Sequence, residues 1–235
     1  MVERAEQETL LNAQDRRGFA VCAGEARGWR ILTGMETEPR ASTATAHVLD
    51  ALVHVIARDG LEAASIDGLA AELDVTVAEL TTHFPSKDEL LQAAMDHIIA
   101  GFRRRFEAME AATPSVRDRF EQMCMALACV TDDGREAAIV WLWFAAKSTS
   151  NDQFAKNYQG AWKRLEERLE KVVAEIYPEL HAGSESALLL ATLDGIALAR
   201  ASEPPRMPPN RAAYLVENAL RRLDDRSLGA ERYND

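Results

Sequence analysis

All eight prolines of this 235-residue chain stand at the ends of stretches whose apolar residues recur at intervals of three and four. Proline lacks a backbone donor and clashes with the preceding turn, so helices accept it at their boundaries and break where it falls inside them. With the apolar spacing, this placement predicts an all-α protein. A first helix is predicted over about 44–59, with Val48, Leu49, Leu52, Val55 and Ile56 on its apolar side and Gly60 closing it. Ser65 is a natural cap for a short helix over 66–73 carrying Ile66, Leu69 and Leu73 on one face. A turn at Asp74–Val75–Thr76 leads to a second short helix, about 77–83, ended by Phe84–Pro85. Ser86 caps a long helix to about 111, with Asp88 and Glu89 in the first turn, where the helix dipole favours acids. Further helices are expected over about 115–131, 135–149, 151–176, 185–202 and 210–224, with a turn at Asp132–Asp133–Gly134 and a frayed tail over 225–235.

Hydrophobic residues make up 47% of the chain, enough to build a core without a staple of metal or disulfide. The three cysteines, Cys22, Cys124 and Cys129, have no metal-ligand spacing, which fits a reducing cytoplasm. No uncharged apolar run approaches the ~18 residues of a membrane span, and the first residues alternate acids and bases, unlike a secretory signal. The expected setting is therefore cytoplasmic, with no membrane partner. His47, His54, His83, His97 and His181 are scattered, and neither a Gly-rich phosphate loop nor a nucleophile motif is present. No catalytic residues, metal or cofactor are expected. The net charge of −11 argues against a protein that coats nucleic acid non-specifically, but a site-specific reader needs only one suitable face.

The segment Val48–Leu91 is the most informative. VLDALVHVIARDGLEAASIDGLAAEL, then DVTVAELTTHFPSKDELLQAAM, resembles the helix-turn-helix DNA-binding domain of the TetR family, most specifically in HFPSKDELL. Physical chemistry explains the anchors: Gly60 permits a left-handed turn, Ala70 lets two helices cross closely, and Phe84 plugs a small three-helix core. The resemblance implies DNA contacts at Ser65, Thr76, Val77, Glu79, Thr81, Thr82, His83 and Lys87. Thr76, Thr81, Thr82 and His83 would donate to phosphates, Lys87 would pair with another phosphate, and Val77 would touch a thymine methyl. The segment also departs from the family. Val77, Ala78 and Thr81 stand where a base, a glycine and a tyrosine are usual, and no Lys or Arg lies between Val75 and Phe84. Residues 41–90 hold two bases, Arg58 and Lys87, against nine acids, a net charge of −7 that opposes approach to phosphates. Two readings stay open: a DNA reader whose acids face elsewhere, or a TetR-like interaction protein whose acidic head binds a protein partner.

Farther on, WLWFAAKSTSNDQFAKNYQGAWKRLEERL and LLLATLDGIALARASEPPRMPP resemble the effector domain of the TetR subgroup typified by the choline-responsive betaine-synthesis repressor, over roughly 115–224. The resemblance implies about nine helices and a homodimer built from the last two helices of each subunit. Leu189, Leu193, Ile196, Tyr214, Leu215 and Leu220 are the interface candidates. A small-molecule effector would lie among Phe120, Met123, Cys124, Leu127, Trp141, Phe144, Lys147, Tyr158 and Trp162, whose aromatic walls suit a cation. The expected organisation is an N-terminal extension over 1–40, a helix-turn-helix domain over 41–90, and an effector and dimerisation domain over 91–224, followed by the tail. Residues 1–40 read in two ways: as a leader before a natural start at Met35, or as an arm whose Arg16, Arg17, Arg27, Arg30 and Arg40 reach a minor groove. The function expected of such a chain is that of a ligand-responsive homodimeric repressor binding double-stranded operator DNA.

Overall fold

The computed structural model describes residues 40–234, and the expectations for Met35, Cys22 and the arginine arm, including the Arg40 side chain, lie outside the described residues. Nine α-helices and no strands are found among these residues: α1 Arg40–Asp59, α2 Ile66–Leu73, α3 Val77–His83, α4 Lys87–Ala112, α5 Val116–Leu127, α6 Asp132–Ser148, α7 Asp152–Ile176, α8 Ala182–Ser202 and α9 Pro209–Asn234. Side-chain caps start seven of them, α8 through His181 Nδ1, which accepts from Ser184 N at 3.2 Å. Ser65, Thr76, Ser86, Ser115, Thr131 and Asn151 each accept from a backbone N–H two or three residues into the helix that follows.

The ends differ from the sequence reading in five places, two of them the earlier starts of α1 at Arg40 and of α8 at Ala182. α5 stops at Leu127 because Cys129 takes a left-handed conformation, φ 51°, which turns the chain early. Asp132–Asp133–Gly134, read as a turn, is instead the first turn of α6, capped by Thr131, whose Oγ1 accepts from Gly134 N at 3.2 Å. Gly134 must be small: a Cβ there would stand 2.9 Å from the Cys129 backbone. The tail read as frayed continues α9 to Asn234.

Two apolar cores form. The first joins α1–α4 through Leu52, Val53, Ile56, Leu69, Leu80, Phe84, Leu91 and Met95, and is completed by Val140 and Phe144 of α6 and Phe154 of α7. The second gathers Phe120, Met123, Leu169, Val173, Leu193, Val216 and Leu220 from α5, α7, α8 and α9. α8 has the length and hydropathy of a membrane-crossing helix, yet it packs among α5, α6, α7 and α9 and buries two charged residues, Glu185 and Arg200.

Arg200 is 1% exposed. Its guanidinium donates to the carbonyls of Cys129 at 3.2 Å, Met207 at 3.0 Å and Thr131 at 3.2 Å, and to Asp132 Oδ1 at 3.0 Å. Arg135 answers by donating to the Arg200 and Ala201 carbonyls at 3.1 and 3.2 Å. The two arginines tie the C-terminus of α8 to the α5–α6 turn and to the proline connector. Arg200→Ala should lower the unfolding free energy by about 3–5 kcal/mol, because several buried carbonyls lose their donor at once. Urea titration checks this, and a loss under about 1 kcal/mol would mean water replaces the guanidinium.

Candidate functional site

The helix-turn-helix is set by α2, the turn and α3. Asp74 ends α2 in the left-handed region, φ 54°, and Val75 N donates back to Ala70 O at 3.0 Å. Thr76 then opens α3 with a reciprocal cap. Its Oγ1 accepts from Glu79 N at 3.2 Å, while Glu79 Oε2 accepts from Thr76 N and from the Thr76 hydroxyl, both at 2.8 Å. The Thr76 backbone bond, and then its hydroxyl, hold the Glu79 carboxyl below its usual range. Leu80 is the one buried residue of α3, and Val75 and Val77 are held in solvent at 38% and 41% exposure.

This geometry reassigns several of the expected DNA contacts. Glu79 is a cap. Ser65 Oγ caps α2, accepting from Gly68 N at 3.0 Å. The Thr81 hydroxyl donates to Val77 O at 3.0 Å and the Thr82 hydroxyl to Ala78 O at 2.9 Å, so their protons, like that of Thr76, are already committed within the helix. What these hydroxyls present outward is acceptor capacity. His83 is exposed beside the Phe84 ring, and Lys87 Nζ lies 4.0 Å from Glu62. Val77 is exposed.

The acids of the head are largely engaged. Arg58 binds Asp59 at 2.7 Å and Glu72 at 3.3 Å and holds both carboxyls below their usual range. Asp50 meets His97 at 2.7 Å, and Asp88 meets Lys147 at 2.9 Å. Asp67 and Glu89 stand in first turns of helices, where the dipole favours them.

Between the two cores lies a cavity of about 460 Å³, walled by α4, α6, α7 and α8. Trp141, Tyr158 and Trp162 form an aromatic cluster with ring centroids 5.0, 5.8 and 6.2 Å apart. Asp194 of α8 stands in the wall close enough to Tyr158 for its charge to be felt there, and packing on its protein side raises its pKa. Leu127, Trp141, Tyr158 and Trp162, expected from the sequence, all face this space. Phe120, Met123 and Cys124 do not; they are buried in the second core against α7 and α8. Phe144 is turned into the first core, and Lys147 is drawn to Asp88. The sequence reading missed Asp194, Arg103, Arg164 and Arg168, which line the cavity. The signal was available: Arg164 and Arg168 are one turn apart on the face of α7 that carries Ala161 and Leu165.

Of the interface candidates, Leu189, Leu193, Ile196 and Leu220 are already buried within one chain. The residues that α8 and α9 leave outside are Leu188 at 61%, Leu198, Tyr214 at 58% and Leu228. Gly195, on the same stripe of α8 as Leu188, has open space before it.

Comparison with known proteins gives this geometry its setting. Residues 48–94 match the family described as bacterial regulatory proteins, tetR family, and residues 116–225 match that described as BetI-type transcriptional repressor, C-terminal. The chain belongs to the TetR family. Members of this family are transcription regulators, not enzymes. The regulator BetI of Burkholderia mallei is 27% identical over 169 residues, 68% of this chain and 83% of that one. The nicotine-responsive repressor HdnoR of Paenarthrobacter nicotinovorans is 34% identical over 70 residues, 30% of this chain and 36% of that protein's length. Among solved structures, a regulator from Rhodococcus sp. Rha1 superposes with TM-score 0.69 at 24% identity, covering 77% of this chain and 95% of that one. A regulator from Saccharomonospora viridis, in complex with choline, does so with TM-score 0.69 at 22% identity, covering 75% and 95%. These structural likenesses establish the fold.

Cys124 and Cys129 are buried, and burial pushes both thiols up to about 12. A raised folded pKa leaves stability intact below the unfolded thiol's pKa and removes it as pH rises through the folded one. In a Cys22→Ser background at about pH 8, an aromatic disulfide reagent should therefore react only after unfolding, and the urea midpoint should fall above about pH 9. Rapid reaction of the native protein would show an accessible thiol.

Proposed function

We propose that this chain is a homodimeric, effector-responsive repressor that binds double-stranded operator DNA in the cytoplasm, with the reading head in residues 41–90 and the effector and dimerisation domain in residues 91–224. The observation that carries the reading is the exposed start of α3. The helix is secured by its own cap and by Leu80, which leaves Val75 and Val77 in solvent, where thymine methyls would cover them. The engagement of Asp50, Asp59, Glu72, Glu79 and Asp88 with intramolecular partners supports this reading against that of a protein-binding acidic head.

A second copy would pack on the outward stripe of α8 and α9, around Leu188, Gly195, Tyr214 and Leu228, and set two α3 helices on a two-fold operator. The effector would occupy the cavity. Its aromatic cluster and Asp194 favour an organic cation, in keeping with the choline bound by the Saccharomonospora viridis protein and the nicotine response of HdnoR. Both α4 and α6 line that space and pack on the head, so a ligand that favours one arrangement of these helices shifts the spacing of the two heads.

Fluorescence anisotropy of DNA from the gene's own upstream region tests the reading. Saturable binding that resists competitor and weakens between ~50 and ~200 mM salt is expected. Absence of binding by folded dimer at low salt would overturn it. Leu188→Glu should convert the dimer to monomer in sedimentation velocity and abolish operator binding with the head unchanged, because it places a charge in an apolar seam. A dimer that survives the substitution would locate the interface elsewhere.

A further inference from the structure

The cavity wall carries charge of both signs, the acid on α8 and bases on α4 and α7. Tyr158 and Trp162 form its aromatic end together with Trp141, and Asp194 is the acid there. Arg164 and Arg168 follow on the same helix, one turn apart. The Arg164 guanidinium folds back along α7, its Nη1 standing 3.2 Å from where a Cβ on Gly160 would lie.

The basic groups are not equivalent. Arg168 is paired with Glu110 and lies over the Phe106 ring, 5.6 Å from its centroid. Arg103 reaches Glu107 at 3.7 Å. Arg164 makes no ion pair within 4 Å among the described residues; the acid that feels its charge is Asp96 of α4, which is itself bonded to Gln92. Asp194 likewise has no ion pair or hydrogen bond among the described residues, and the only influence on its carboxyl is desolvation. Both side chains are solvent-exposed at the cavity's edge, where a ligand carrying the complementary pair would replace water on them. The cavity's volume of about 460 Å³ falls in the range that takes drug-sized ligands and exceeds what a lone small cation would fill.

Resting on the effector-cavity reading above, we infer that the effector is a zwitterion, with an onium group held by Trp141, Tyr158, Trp162 and Asp194 and a carboxylate or other oxyanion held by Arg164. Arg164 is then the residue that sets specificity, distinguishing an oxyanion-bearing onium from the bare cation. Its planar fork suits a carboxylate or phosphate in two parallel hydrogen bonds.

Calorimetric titration of the full-length chain with four probes tests this: choline, glycine betaine, 4-(trimethylammonio)butanoate and butanoate. The long betaine should bind at least about tenfold more tightly than choline, equivalent to about 1.4 kcal/mol. Arg164→Gln should erase that advantage while leaving choline affinity unchanged, and Arg164→Lys should restore part of it. Asp194→Asn should weaken every onium alike. Equal affinity for choline and both betaines would overturn the inference and leave the cation-responsive reading standing. Butanoate binding as tightly as the long betaine would also overturn it, making the cavity an anion site. No heat with any onium, from protein whose circular dichroism is native, would remove both the inference and the cation reading.

Discussion

The structure depends on one helix serving two environments. α6 turns Val140 and Phe144 into the core of the head and Ala137, Ala138, Trp141 and Ala145 toward the cavity. Its Trp143 lies against Gly60, where a Cβ would come within 3.3 Å of the indole, so the left-handed turn that closes α1 is also the seat of an α6 side chain. His54 of α1 and Glu136 of α6 approach to 3.8 Å on the same flank. The reading head is therefore not a self-contained bundle. Its core is finished by the domain that holds the cavity, and close-packed interiors transmit displacement.

That arrangement explains which parts of the fold were legible in the sequence. Caps, prolines and apolar spacing are local signals, and the helices they mark at 66–73 and 77–83 lie where the sequence places them. The early end of α5 was hidden because nothing in Cys129 announces a left-handed residue; the conformation is held from outside, by an arginine 71 positions later in the chain. The same logic separates the cavity residues that sequence reasoning found from those it missed. Trp141, Tyr158 and Trp162 were conspicuous by type. Phe120, Met123 and Phe144 looked identical by type, and only the helix packing sent them into the cores. Asp194, Arg164 and Arg168 were passed over, and their place in the cavity wall depends on how α7 and α8 are rotated against each other.

Charge is the second place where composition and structure part. The acids of the head are numerous, and Arg58, already counted in their net charge, is shared between Asp59 and Glu72 and offsets one of the two; the pairing fixes where these carboxylates stand, while Lys147, from outside residues 41–90, adds a positive charge beside Asp88. Asp88 works in a different direction. With Lys147 at 2.9 Å and Asn151 at 3.4 Å, it fastens the start of α4 to the end of α6 and the cap of α7. The acid is a joint between the two parts of the molecule as well as a helix-dipole partner.

The reciprocal cap of α3 divides the recognition segment into two kinds of position. Thr76 and Glu79 hold the helix start, and Leu80 roots it, so changing any of them disturbs the fold. Val75, Val77 and Ala78 have no such duty and stand exposed. Drift at these three positions leaves stability almost untouched, so under the proposed operator binding a lineage carrying this scaffold can wander among target sequences by neutral steps, keeping its architecture while its vocabulary changes.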